Sequence, residues 1–253
     1  MATGVIVLCL GAYTRLSSFV TSSNKQYRAV IRLGATTDTL DADGTVANRN
    51  VSGCVGQSQV DAALADFTGK IAQIPPMYSA IRMEGRRLYE LARKGIEVER
   101  VPREVEIFSL EQIAYSWPLL HVNVCCSKGT YIRTLADDIG QKLGCGGFLA
   151  TLRRTTVGYV GLDRCLTMQN LRSLEAPGSL SETTIDQHTV LQDVPAVLLT
   201  PDQWGPFSNG NAVSDVSNMS TGTVRVLNQD DELLGIGQME RGVLKPQRVI
   251  QNR

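Results

Sequence analysis

Apolar and polar residues alternate along Lys25 to Leu33, with Tyr27, Ala29, Ile31 and Leu33 on one side and Arg28, Val30 and Arg32 on the other. That is the period of a half-buried strand. Val105–Ile113 and Leu119–Val124 carry the same signal, and Arg153–Leu162 predicts another strand. Between them the period changes. Ile132, Leu135, Ile139 and Leu143 recur at helical spacing and stop at Gly144, as a helix face and its C-terminal glycine do. Ser58–Phe67 predicts a helix with Ser58 as N-cap and Val60, Leu64 and Phe67 as its stripe. Ala12–Val20 and the basic Arg87–Lys94, ended by Gly95, predict shorter helices. Gln73-Ile74-Pro75-Pro76 has to leave helical space, and Thr36–Thr45 has the Asp, Thr and Gly of a loop.

The ends are less regular. Val5–Cys9 is an apolar run that predicts a core strand following Met1-Ala2-Thr3-Gly4 almost at once. Arg172–Asp193, with Pro177 and Gly178, predicts irregular structure or a linker. Beyond it, Thr223–Leu227, Leu233–Met239 and Arg248–Ile250 predict a small β-rich appendage. The whole pattern is that of an α+β protein of one larger domain and one small one, which 253 residues can hold.

Charge changes this picture where it clusters. The chain is neutral, with 25 basic and 25 acidic residues. Residues 82–103 and 127–158 nevertheless carry +6 between them, leaving −6 for the remainder. A locally basic face of this kind can take phosphates, although many basic runs are only solvated surface. Six cysteines lack any C-x-x-C pair and there are two histidines, so reduced thiols are expected rather than a zinc site or disulfide framework. No metal is expected. There is no apolar run of membrane-spanning length and no signal-peptide pattern around Val5–Leu10, so the cytoplasm is the expected compartment.

The chemistry concentrates at the strand-to-helix corner Cys125–Gly144. Lys128, Tyr131 and Arg133 sit where exposed N–H groups and the positive end of a helix dipole favour an anion. An aromatic between two basic residues on an ordinary surface turn is the competing reading.

Four blocks, 2–19 (ATGVIVLCLGAYTRLSSF), 25–44 (KQYRAVIRLGATTDTLDADG), 74–103 and 126–144 (CSKGTYIRTLADDIGQKLG), together with Leu152-Arg153-Arg154 and the tail 237–250, resemble the bacterial TruB family of tRNA pseudouridine synthases over nearly the whole chain. The resemblance implies a pseudouridine synthase fold, a mixed and largely antiparallel sheet flanked by helices, over 1–192. It implies a small PUA-like RNA-binding domain over 193–253. The implied reaction isomerises a uridine in the T-loop of tRNA: the base is flipped out, its bond to N1 is broken, and C5 is joined to the same ribose carbon. No cofactor is implied, the partner is the tRNA T-arm, and a monomer is expected. Tyr27 resembles the aromatic that stacks on the target base, and Tyr131 the tyrosine placed for proton removal or substrate contact. Arg133 matches the arginine that pairs with the catalytic aspartate, and Leu152 matches a residue lining the uracil pocket. Residues 75–103 correspond to the thumb that pins RNA. Arg86 in that thumb, Lys128 and Arg153 are expected to hold RNA.

The family's nucleophilic aspartate lies in G-T-L-D-P-x-A-T-G. Here Met1 takes the variable position and Ala2-Thr3-Gly4 follow, so the aspartate is expected upstream of Met1, which would be an internal methionine. Asp41 in Thr39-Leu40-Asp41 is not expected to replace it, because it belongs to a different family block; Asp38, Asp41 and Asp43 are expected to be solvated turn residues. The polypeptide as written is therefore expected to bind tRNA without isomerising it. A catalytically inactive RNA-binding protein of the same fold is the alternative. A guide-dependent pseudouridylase and a small-molecule binding module are weaker ones.

Overall fold

The computed structural model describes residues 2–49, 54–83, 85–174, 181, 183–216 and 221–250. Met1, Glu84 of the thumb, and Pro177 and Gly178 of the expected linker lie outside the described residues. The chain divides into two compact units. The first joins residues 1–6 to Ser22–Asp163; the second joins Val7–Thr21 to Arg164–Arg253. The boundary expected at 192/193 falls within the second.

In chain order, β1 (Ala2–Gly4) precedes a 3-10 segment over Gly11–Leu16, α1 (Ser17–Ser22) and β2 (Lys25–Leu33). A hairpin of β3 (Ala35–Thr37) and β4 (Val46–Arg49) leads to α2 (Gln57–Asp66) and β5 (Gly69–Gln73). A two-stranded ribbon, β6 (Arg82–Met83) and β7 (Arg86–Arg87), runs into α3 (Leu88–Ala92). The long strands β8 (Arg103–Ser116) and β9 (Leu119–Cys126) precede α4 (Ile132–Lys142), β10 (Gly147–Val157) and β11 (Val160–Gly161).

Seven of these strands form one sheet in the order β1-β10-β2-β9-β8-β5, with β11 paired to β10. Only β1 runs parallel to its neighbour. The mixed, largely antiparallel sheet inferred from the sequence is therefore present. Ala29, Ile31 and Leu33 of β2 and Leu120, Val122 and Val124 of β9 share one core with Ile132, Leu135, Ala136 and Ile139 of α4 and Val60 and Leu64 of α2. Truncating Leu135, which is fully buried, to alanine is expected to cost about 2–5 kcal/mol. Gly140 sets how close α4 lies to β10: a Cβ there would stand 2.1 Å from the Gly147 nitrogen.

Several expectations are corrected. The Val5–Cys9 run is not a core strand: β1 ends at Gly4, Val5 alone is buried, and Ile6 and Leu8 are more than 70% exposed. Residues 36–45 are not simply loop, because Thr36 and Thr37 pair with β4. The cap of α2 is Gly56, whose N–H is taken by the Gln59 side chain at 2.9 Å, and Ser58 lies inside the helix. Strand β10 begins at Gly147, six residues before the expected start.

The second unit holds α5 (Met168–Arg172), α6 (Gln187–Val190), β12 (Ala196–Leu198), α7 (Pro201–Ser208), β13 (Gly222–Leu227), β14 (Leu233–Glu240) and β15 (Val243–Val249). The four strands form one sheet in sequence order. Phe207, Val224, Val226, Met239 and Leu244 pack together, and Leu16, Leu191, Leu227, Leu233 and Ile236 make a second cluster. The stretch before residue 193 is thus not only a linker, since Leu191 is buried in that cluster. The last strand starts at Val243 rather than Arg248 and contains Pro246, which an edge strand tolerates.

Candidate active site

The corner between β9 and α4 is held from several sides. The Ser127 amide donates to the Glu106 carbonyl at 2.8 Å, and the Glu106 amide donates to Ser127 Oγ at 2.9 Å. Thr130 Oγ1 donates back to the Ser127 carbonyl, also at 2.9 Å. Gly129 sits at φ +82°, a left-handed conformation costly for a residue with a Cβ. Tyr131 is the N-cap of α4 and offers no side-chain cap. Its main chain is bound by Gln73, which accepts from the Tyr131 amide at 2.8 Å and donates to the Tyr131 carbonyl at 3.1 Å.

Arg133, in the first turn of α4, is three-quarters buried and tied to two distant segments. Its Nη1 donates to Asp41 Oδ2 at 3.0 Å and to the Thr39 carbonyl at 3.4 Å; its Nη2 donates to the Tyr78 carbonyl at 2.7 Å. Asp41 is equally occupied. Its Oδ1 accepts from Thr39 Oγ1 at 2.6 Å and from the Asp43 amide at 3.2 Å. The loop that carries it is fixed to β10, where the Leu149 amide donates to Leu40 and the Ala42 amide to Leu149, each at 3.0 Å. Asp41 is therefore not the solvated turn residue expected, although its contacts to Thr39 and Asp43 are those of an Asx-type turn. Arg133 thus has an ion-pair partner in Asp41.

Tyr27 and Leu152 lie on the sheet face that α4 covers. Both pack against the same core, with Tyr27 opposite Val124 and Leu152 opposite Ala29. Arg154, rather than Arg153, is the arginine on this face. It stands opposite Tyr27 and donates from Nε to the Val5 carbonyl at 2.7 Å. Arg153 is exposed on the other face, opposite Arg28. Burial, then the nearby Cys126 thiol, push the Tyr27 hydroxyl pKa up, against Arg154. Burial, Arg154 and Lys128 push the Lys25 ammonium down. Cys126 itself is raised to about 11 by burial, so it is a neutral thiol at physiological pH. Asp138 on α4 is raised to about 6 by burial and by Asp137.

Lys128 is exposed in the corner turn, and Arg86 is exposed on the β6–β7 ribbon. Beside that ribbon, the guanidinium carbons of Arg87 and Arg93 lie over the Tyr89 ring, 5.8 and 5.5 Å from its centre. Among the described residues no group of three or more His, Cys, Asp or Glu is placed to hold a metal ion. Sequence reasoning missed Gln73 and Arg154. Arg154 follows Arg153 directly, and only the register separates them.

The corner thus sets Tyr131 and a mostly buried Arg133 at the start of α4, and Tyr27 and Leu152 lie on the sheet face that α4 covers. The model of the TruB family pseudouridylate synthase N-terminal domain matches residues 1–132, the tRNA pseudouridylate synthase B C-terminal domain 133–194, and the pseudouridine synthase II TruB C-terminal region 195–250. The tRNA pseudouridine synthase B of Dechloromonas aromatica is 42% identical over 99% of this chain and 83% of its own length. Those of Pseudomonas fluorescens and Salmonella typhi are 40% and 39% identical, with 84% and 83% of their lengths covered. Among solved structures, a chain of a Cbf5-Nop10-Gar1 complex superposes with a TM-score of 0.75 over all of this chain and 74% of that one. At 19% identity it shares the fold alone. The fold is that of the pseudouridine synthases. The chain belongs to the TruB family.

Proposed function

We propose that the protein is a tRNA pseudouridine synthase, an isomerase acting on a uridine of the T-loop. The observation that carries this reading is identity near 40%, along the whole chain, to relatives named tRNA pseudouridine synthase B. The guide-dependent reading has only fold likeness in its support. In the reaction the C1′–N1 bond breaks, a C1′–C5 bond forms, C5 loses its proton and N1 gains one. Tyr27 stacks on the base, Leu152 walls the uracil, and Tyr131 contacts it where the C5 proton leaves. Arg133 places positive charge where a carboxylate must remain ionised.

The nucleophile is assigned to the aspartate of the family motif, two places ahead of Met1 in register. Asp41 keeps a holding role, because its oxygens are occupied by Arg133, Thr39 and Asp43. The thumb (75–103), Lys128 and the second unit bind RNA, with Arg86 contacting phosphate. Arg153 has the weakest support, since it faces away from Tyr27. The enzyme works in the cytoplasm as a monomer, without metal or guide RNA. No helix among the described residues is long and apolar enough to cross a membrane.

The test is to place Gly-Thr-Leu-Asp-Pro ahead of Met1 and incubate that chain with T-arm RNA. Pseudouridine at one T-loop uridine is the expected product. Binding without any pseudouridine would favour the inactive RNA-binding alternative.

A further inference from the structure

Gln73 ends β5 and pairs with Arg103, the first residue of β8, so it closes the root of the 75–103 excursion. It is 2% exposed, and a buried amide is stable there only if its donors and acceptor are used. Its side-chain amide makes two hydrogen bonds, both to the main chain of one residue, Tyr131. Five residues further on, the Tyr78 carbonyl takes Arg133 Nη2. At the other end of the excursion, Arg100 Nη1 donates to the Pro75 carbonyl at 3.1 Å. The excursion's root thus meets the first turn of α4 twice, through the backbone of Tyr131 and the side chain of Arg133.

We infer that Gln73 is a positioning residue, a two-bond latch by which the root of the RNA-binding excursion sets the place of Tyr131 and Arg133. This rests on the RNA-modifying reading above. The latch needs one acceptor and one donor on the same planar group. Glutamate has the shape of glutamine, but when ionised it can only accept, and it then turns an oxygen toward the Tyr131 carbonyl. Burial and that carbonyl favour the protonated acid, against the Tyr131 N–H, which favours the carboxylate. Once protonated, it can donate again. Gln73→Glu is therefore predicted to latch below its pKa and to lose the latch as the pH rises through it. Gln73→Met keeps the volume and cannot latch at any pH.

The experiment compares unaltered protein, Gln73→Glu and Gln73→Met at about pH 6 and pH 8.5. It reads amide hydrogen exchange over 131–135, corrected for intrinsic rates, and affinity for a T-arm stem-loop as a ratio to unaltered protein at each pH. Gln73→Glu is expected to show roughly tenfold faster exchange and roughly tenfold weaker binding at the higher pH, with both recovering toward unaltered values at the lower. Gln73→Met is expected to show the same loss at both. Losses in Gln73→Glu that ignore pH, or none at all, would overturn the latch. Recovered exchange without recovered affinity would overturn its role in positioning. If unaltered protein fails to bind the stem-loop, the RNA reading fails, and the exchange measurement alone still decides whether the latch exists.

Discussion

The corner before α4 and the tip of the thumb both set arginines beside a tyrosine, and they are built in opposite ways. At the corner, Arg133 is held by Thr39, Asp41 and Tyr78, and Tyr131 by Gln73. All of these partners lie more than fifty residues away in sequence. At the thumb tip, Arg87, Tyr89 and Arg93 meet one another within seven residues, and Arg82 and Arg86 project into solvent. Distant partners fix a side chain against the rest of the sheet, as the placement of reacting groups requires. Local partners leave cations exposed, which suits contact with a phosphate backbone and little else. On the proposed function, the corner would position groups and the 75–103 segment would supply charge.

The sharpest way to break this comparison is Arg133→Ala. It leaves Asp41 without its cation and removes the positive charge from the site. In the aspartate-bearing chain, pseudouridine formation is expected to fall about a hundredfold or more, while T-arm affinity changes only a few-fold. An equal loss in both would make Arg133 a simple RNA contact. Tyr27→Ala removes a stacking surface and is expected to weaken T-arm binding about tenfold, in the range of one stacked base. Tyr27→Phe should bind nearly as well as the unaltered chain, as measured by titration of fluorescent RNA.

Thumb substitutions should behave differently. Arg86→Ala is expected to weaken binding a few-fold for any RNA hairpin and to lower the slope of log affinity against log salt by about 1. The melting temperature should be unchanged, because Arg86 is exposed. The smallest effect belongs to Asp138. Its folded pKa lies near 6, above the ordinary aspartate value, so the unfolded chain releases this proton first as pH rises. Stability therefore falls between about pH 4 and pH 6 and levels off above. Asp138→Asn removes that loss. It should match the unaltered protein near pH 4 and exceed it by about 1 kcal/mol at pH 7 in urea unfolding, a figure kept small because the carboxylate is only half-buried.

Where periodicity was strong, the elements could be read from residues alone. Strand β2 has the bounds read from the alternation over Lys25–Leu33, and α4 begins at Ile132 and buries Leu135 and Ile139, as their helical spacing implies. What escaped depends on partners far along the chain. Nothing near Asp41 shows that Arg133 lies against it, 92 positions away. The bulge between Leu149 and Thr151 shifts the pairing of β10 with β2, and only that pairing sets Arg154, not Arg153, beside Tyr27. Gln73 gave one hint, a polar residue ending a strand just before Ile-Pro-Pro. The Val5–Leu10 run misled because apolar composition signals burial only when another surface covers it.

Asp41 holds Arg133 in an ion pair, and the function proposed above takes its nucleophile from the family motif rather than from Asp41. The direct measurement is pseudouridine formation on T-arm RNA by residues 1–253 as given, at stoichiometric protein, beside the same chain carrying Asp41→Asn. RNA binding and no pseudouridine are expected from both. Robust pseudouridine formation by the chain as given, abolished by Asp41→Asn, would contradict it and make Asp41 the nucleophile.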